Sequence, residues 1–183
     1  MKFVATSLAG LLLAATNCAA SDKLDYVGLT PSIAAEARAH LTVVPPGATP
    51  IELERWTFRN NMFSVRPIQN NYEQWPGTRQ GLLGFISYTP FEGSRTLYSC
   101  VTLDWNDTFT SNDPNCEGQR VARDQPITGY IASTQIAGTV PLYRCMRGGL
   151  QPNNWADHFD TTAPNCENVR NQVNEGIIGY IWL

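Results

Sequence analysis

This chain repeats itself, and the repeat dictates most of what it can become. Leu97-Tyr98-Ser99-Cys100 returns as Leu142-Tyr143-Arg144-Cys145. Asp107-Thr108-Phe109-Thr110, with Asn115-Cys116-Glu117 behind it, returns as Asp157-His158-Phe159-Asp160 with Asn165-Cys166-Glu167. Each unit closes on an aromatic segment, Ile127-Thr128-Gly129-Tyr130-Ile131 and then Ile177-Ile178-Gly179-Tyr180-Ile181. A worn copy precedes them: Leu53-Glu54-Arg55-Trp56, Asn61-Met62-Phe63-Ser64-Val65 and Leu82-Leu83-Gly84-Phe85-Ile86. It lacks both cysteines, with Trp56 and Asn70 in their places. Trp56 is bulky enough to fill by packing what a disulfide fills in the other units. Units of this length cannot bury a core singly and must pack on one another.

Within a unit the pieces are short, aromatic or β-branched, and separated by Asn, Asp, Pro and Gly, so they read as strands and turns. Gly129 and Gly179 inside the closing strand point to a bulge or the close approach of another backbone. One stretch reads as helix, Thr30 to His40, with Thr30 as N-cap and Pro31 at the first position. The expected fold is therefore all-β: three pseudo-repeats arranged as a β-trefoil, with a three-sheet β-prism as the alternative. The units cover about 51–90, 95–135 and 140–183, behind an arm over 21–50 that carries the short helix.

Residues 1–20 read as a secretory signal peptide: Lys2, then a Leu/Ala-rich core too short for a span, then Cys18-Ala19-Ala20. A secreted, extracellular protein without a membrane span is expected. The remaining cysteines, Cys100, Cys116, Cys145 and Cys166, allow three pairings in an oxidising compartment. Recurrence of the same two positions in each intact unit selects Cys100–Cys116 and Cys145–Cys166. A catalytic thiol or zinc site would need closer Cys or Cys/His spacing. With 43% hydrophobic residues and a net charge of −3, the chain is globular and carries no basic footprint for nucleic acid.

The repeat pattern resembles a secreted-protein repeat family of unknown function, found alone or appended to extracellular enzymes, with Leu-Tyr-Arg-Cys, Asp-His-Phe-x-Thr, Cys-Glu and Gly-Tyr-Ile as its marks. Unit three carries them at Leu142, Tyr143, Arg144, Cys145, Asp157, His158, Phe159, Cys166, Glu167, Gly179 and Tyr180. Unit two departs at Ser99 and Thr108, and the first copy keeps little beyond Leu53, Arg55, Phe63 and Gly84. The resemblance implies an accessory binding module. A ricin-type sugar site does not transfer, because Glu73-Gln74-Trp75 occurs once and at the wrong spacing.

Trp105 and Trp155, in loops just before the Asp-x-Phe motif, are candidate sugar-stacking residues, with Asp107, Asp157 and His158 as polar neighbours. Tyr98 and Tyr143 are weaker candidates, since they sit in strands. Asn106-Asp107-Thr108 is an N-glycosylation sequon, and a glycan on Asn106 would crowd Trp105. His158 flanked by Asp157 and Asp160 is the most suggestive catalytic group, though a structural role is the simpler reading. Asp104, Asp107, Asn112 and Asp113 make an oxygen-rich loop that reads as solvated turn rather than calcium site. No cofactor and no metal are expected. The function that follows is a monomeric, non-enzymatic module for a glycan or cell-wall polysaccharide. A protein-binding effector, elicitor or protease inhibitor is the second reading, and a small hydrolase the third.

Overall fold

The computed structural model describes residues 24–39, 44–67, 77–148 and 156–183. The leader, Asn70, Trp75 and Trp155 lie outside the described residues. The architecture is all-β with one helix, α1 at Pro31–Ala39. Thr30 begins it as anticipated: its Oγ1 accepts from Ile33 N at 3.4 Å and its carbonyl from Ala34 N at 3.0 Å.

Ten strands follow. Unit one contributes β1 (Pro50–Phe58), β2 (Asn61–Val65) and β3 (Thr78–Ser87). Unit two contributes β4 (Ser94–Val101), β5 (Thr108–Ser111), the short β6 (Arg120–Val121) and β7 (Ile127–Ala132). Unit three contributes β8 (Thr139–Gly148), β9 (Ala156–Thr161) and β10 (Gln172–Trp182). In each unit the first strand lies between the second and the closing strand, giving antiparallel orders β2-β1-β3, β5-β4-β7 and β9-β8-β10, with β6 also pairing with β4. The closing strands join the units, meeting at Phe85 and Trp182, Ala132 and Tyr180, and Ser87 and Tyr130. The sheet keeps open edges at β2 and β5.

The central core is one set of positions used three times. Leu53, Leu97 and Leu142 from the first strands and Ile86, Ile131 and Ile181 from the closing strands are all fully buried, with Leu83, Val140 and Ile178 beside them. The closing glycines make this possible. A Cβ at Gly84 would meet Ile181 and, at 2.5 Å, the Trp182 carbonyl; one at Gly129 would meet Ile86 and, at 2.8 Å, the Ser87 carbonyl; one at Gly179 would meet Ile131 and, at 3.1 Å, the Ala132 carbonyl. Each unit's glycine thus receives the isoleucine of another unit, always in the same rotational sense.

Both expected disulfides are present, Cys100–Cys116 and Cys145–Cys166. Each first cysteine lies directly across from the motif phenylalanine, Cys100 from Phe109 and Cys145 from Phe159. Trp56 lies across from Phe63 in the same way and packs with Phe63 and Val65. An indole therefore takes the disulfide's place in the first unit. Breaking one bridge removes a loop constraint on the unfolded chain worth about 3 kcal/mol. Cys100→Ser with Cys116→Ser should lower the unfolding free energy from a denaturant titration by that amount without changing the far-UV spectrum. No shift would mean that the strands alone hold the unit.

The arm is not loose. Tyr26 makes a parallel bridge to Leu82, and the Val27 amide donates to the Leu82 carbonyl at 2.8 Å. Asp25 pairs with Arg79, whose Nε also reaches Glu54 at 2.6 Å. Among the described residues no helix is long and apolar enough to cross a membrane.

Candidate functional site

The three motif positions Asn61, Asp107 and Asp157 form one ring of backbone caps. Asn61 Oδ1 accepts from Thr108 N at 3.5 Å, Asp107 carboxylate oxygens from His158 N at 3.2 and 3.3 Å, and Asp157 Oδ1 from Met62 N at 2.7 Å. Each unit's side chain caps the start of the next unit's second strand, supplying an acceptor to an otherwise unmet N–H. Asp107 and Asp157 are accordingly 2% and 0% exposed. Arg147 Nε holds the second Asp157 oxygen at 2.6 Å. Burial still dominates and pushes the Asp157 carboxyl up to about 6, against the pull of the Met62 amide and Arg147.

His158 is drawn into the same ring. Its Nδ1 pairs with Asp107, and its Nε2 stands 3.5 Å from Glu175. Burial alone would depress the imidazole, but the bonds and charges of Asp107 and Glu175 outweigh it and hold the group up at about 9. At neutral pH both ring nitrogens carry protons directed at carboxylates, leaving no lone pair to act as a base. Its sequence neighbours do not join it: Asp157 turns to Met62 and Arg147, and Asp160 accepts Thr110 Oγ1 on both oxygens at 2.8 Å.

A second set of contacts crosses the units, and here the symmetry breaks. Arg55 lies over the Phe159 ring at 5.6 Å, donates to the Asp160 carbonyl at 3.2 Å and makes paired bonds to Glu167 at 2.5 and 3.0 Å. Arg144 repeats this one unit on, over Phe109 at 5.4 Å, to the Thr110 carbonyl at 3.0 Å and to Glu117 at 2.7 and 3.0 Å. The third equivalent position is Ser99, facing Phe63 and Ser64 of unit one. A hydroxymethyl group replaces a guanidinium. A pocket of about 500 Å³ opens there, lined by Phe63, Ser64, Val65, Ser99, Thr108, Trp105, Arg123, Asp124 and Gln125.

Trp105 forms the lip. It is 56% exposed, and its own φ of 62° puts it in the left-handed region, where a bulky residue is strained. The turn is held by Trp105 N donating to the Thr102 carbonyl at 2.9 Å and by Asp104, whose oxygens take Thr102 Oγ1 at 2.6 Å and Asn106 Nδ2 at 3.0 Å. These bonds hold the Asp104 carboxyl below its ordinary range. On its other side Trp105 shares a second pocket, about 330 Å³, with Phe58, Arg59, Asn60, Asn61 and Asn106. An exposed indole thus stands between two clefts lined with amides, hydroxyls and charged side chains.

Of the residues singled out from sequence, Trp105 and Asn106 stand together at this surface, whereas Asp107, Asp157 and His158 are tied up between units. Tyr98 and Tyr143 pack against the disulfide clusters. Trp155 falls outside the described residues. Among the described residues no group of His, Cys, Asp and Glu is disposed to hold a metal. Ser99, Arg59, Arg120 and Arg123 were not singled out as site residues. Ser99 alone left a trace in the sequence, as the position where unit two departs from Arg. Comparison of the chain with protein-family models, with curated proteins and with solved structures finds no match to any of them.

Proposed function

We propose that this chain is a secreted, non-enzymatic binding module that takes a carbohydrate across Trp105, in the pocket left open by Ser99. The observation that carries this reading is the exposed indole at the lip of that pocket, beside Asn60, Asn61, Asn106 and Gln125. A sugar ring offers an apolar face to an indole and hydroxyls to amides. The strained, bonded turn that presents Trp105 fits a preorganised contact, because little entropy is lost when it is used. A β-trefoil-like arrangement of the three units belongs to the same proposal, supported by the cyclic order of their mutual contacts.

The test is a glycan array and cell-wall polysaccharide pull-down with the mature protein, free of N-glycan so that Asn106 stays uncovered. Trp105→Ala removes the platform. Ser99→Arg fills the pocket with the side chain that already occupies both equivalent positions. Both substitutions are at a partly open surface, and thermal melts should show them folded. Binding is expected to fall at least about tenfold in each, equivalent to about 1.4 kcal/mol. Binding retained by both folded variants, or no glycan bound by the parent, overturns the reading and leaves a protein partner as the alternative.

A further inference from the structure

The ligand class can be narrowed from the charges around Trp105, on the assumption that this surface binds sugar at all. Four arginines, Arg55, Arg79, Arg144 and Arg147, are committed to carboxylates inside the molecule. Arg59, Arg120 and Arg123 have no ion pair among the described residues, and all three converge on Trp105. Arg59 lines the smaller pocket with it, Arg123 lines the larger, and the Arg120 guanidinium lies 4.9 Å over its ring. Asp124 is the one carboxylate in the described lining of the two pockets. On a chain whose net charge is −3, these three arginines outnumber Asp124 and the Asp104 of the turn itself, a local excess of positive charge at the one tryptophan that is exposed among the described residues.

We infer that the Trp105 surface recognises an acidic polysaccharide, one whose rings carry carboxylates in the manner of a polyuronate. The Arg120 guanidinium over the indole sets a cation beside the ring on which a sugar would stack, and Trp105 keeps more than half of its surface exposed for that contact. A uronate seated there presents its carboxylate to guanidinium groups that pair with it in two parallel bonds. The amides of Asn60, Asn61 and Asn106 take the hydroxyls. A neutral sugar would leave those arginines without an ionic partner. An acidic protein segment would satisfy the charge but not the stacking platform with its amides, which favours the saccharide.

The experiment is calorimetric titration of the mature, unglycosylated protein with oligogalacturonate, with its fully methyl-esterified form, and with polyglutamate, at low and high salt. Oligogalacturonate should bind about tenfold or more tighter than its ester, and more weakly as salt screens the contact. Arg120→Gln and Arg123→Gln, checked for folding by thermal melt, should each weaken the acidic oligomer about fivefold more than they weaken the ester. Trp105→Ala should remove binding of both. Equal affinity for acid and ester overturns the inference while the sugar reading stands. Polyglutamate bound as well as the uronate overturns it in favour of an acidic protein. Binding of neither oligomer, with neutral glycans still captured on the array, overturns the inference alone; loss of array binding too removes the reading beneath it.

Discussion

Asp107→Ala should cost about 3–5 kcal/mol of folding stability, the range for removing one partner of a buried charge pair. Two contacts go at once: the cap on the His158 amide and the carboxylate that holds the imidazolium. Asp107→Asn separates them. Asn61 already caps Thr108 in the equivalent place, so an amide there keeps the backbone bond and loses only the charge. The milder variant should recover roughly half of the loss and should change the pH profile. The His158 imidazole is raised from 6.5 to about 9 in the folded chain. A base whose folded value lies above its unfolded one adds stability that is complete below pH 6.5 and is lost as pH rises through about 9. The loss over that window should be on the order of 3 kcal/mol in the parent. It should shrink markedly in Asp107→Asn. Urea titrations across the window measure both, and a parent midpoint that does not fall toward pH 9 would show that His158 is neutral and the ring uncharged.

The sequence made the strands legible because each unit's turns and aromatic runs are local. It also made the disulfide pairing legible, because the two cysteines recur inside one unit. Gly129 and Gly179 read as places of a bulge or of close backbone approach, and the Ser87 and Ala132 carbonyls do come close to them; Gly84, met by the Trp182 carbonyl, carries no such reading from sequence. What stayed hidden lies between units. Asp107 and Asp157 read as exposed polar neighbours of a sugar site because an aspartate before an aromatic strand is ordinarily a turn residue. Cyclic packing instead sets each against the amide of a neighbouring unit, a contact that no local spacing records. For His158, alternation along β9 sends Asp157 to the opposite face, but it does not foretell that Asp160, two residues on, is taken by Thr110 or that Asp107 and Glu175 arrive from elsewhere in the chain. Trp105 is legible in the sequence as a loop aromatic, and it stands exposed in the fold. The arginines around it are not legible, because Arg59 comes from the turn after β1 and Arg120 and Arg123 from the stretch around β6.

The second large effect concerns the arginine latches and explains why the third is absent. Arg55 is 4% exposed, and Arg55→Met should cost about 3–5 kcal/mol, since it strands Glu167 and the Asp160 carbonyl in a largely dry interface. Burial alone would raise the Glu167 carboxyl, but the Arg55 bonds and charge hold it below its ordinary range. Glu167 also sits at φ 57° after Cys166 at φ 49°, as Glu117 sits at φ 56° after Cys116 at φ 50°. Two successive non-glycine residues in the left-handed region are held there by the disulfide on one side and the arginine on the other. Arginine and the Cys-Glu turn therefore form one device. The first copy carries no Cys-Glu pair in its sequence, Asn70 standing in the cysteine's place, and the arginine that would have met such a pair, in unit two, is Ser99. A double-mutant cycle tests this dependence. Arg55→Met combined with Glu167→Gln should be less damaging than the two single losses summed, by about 1.5–3 kcal/mol. Additive losses would show that Arg55 acts by packing over Phe159 alone. In that case the opening at Ser99 would reflect a missing side chain and not a missing pair, and Ser99→Arg would stabilise the chain as well as close the pocket.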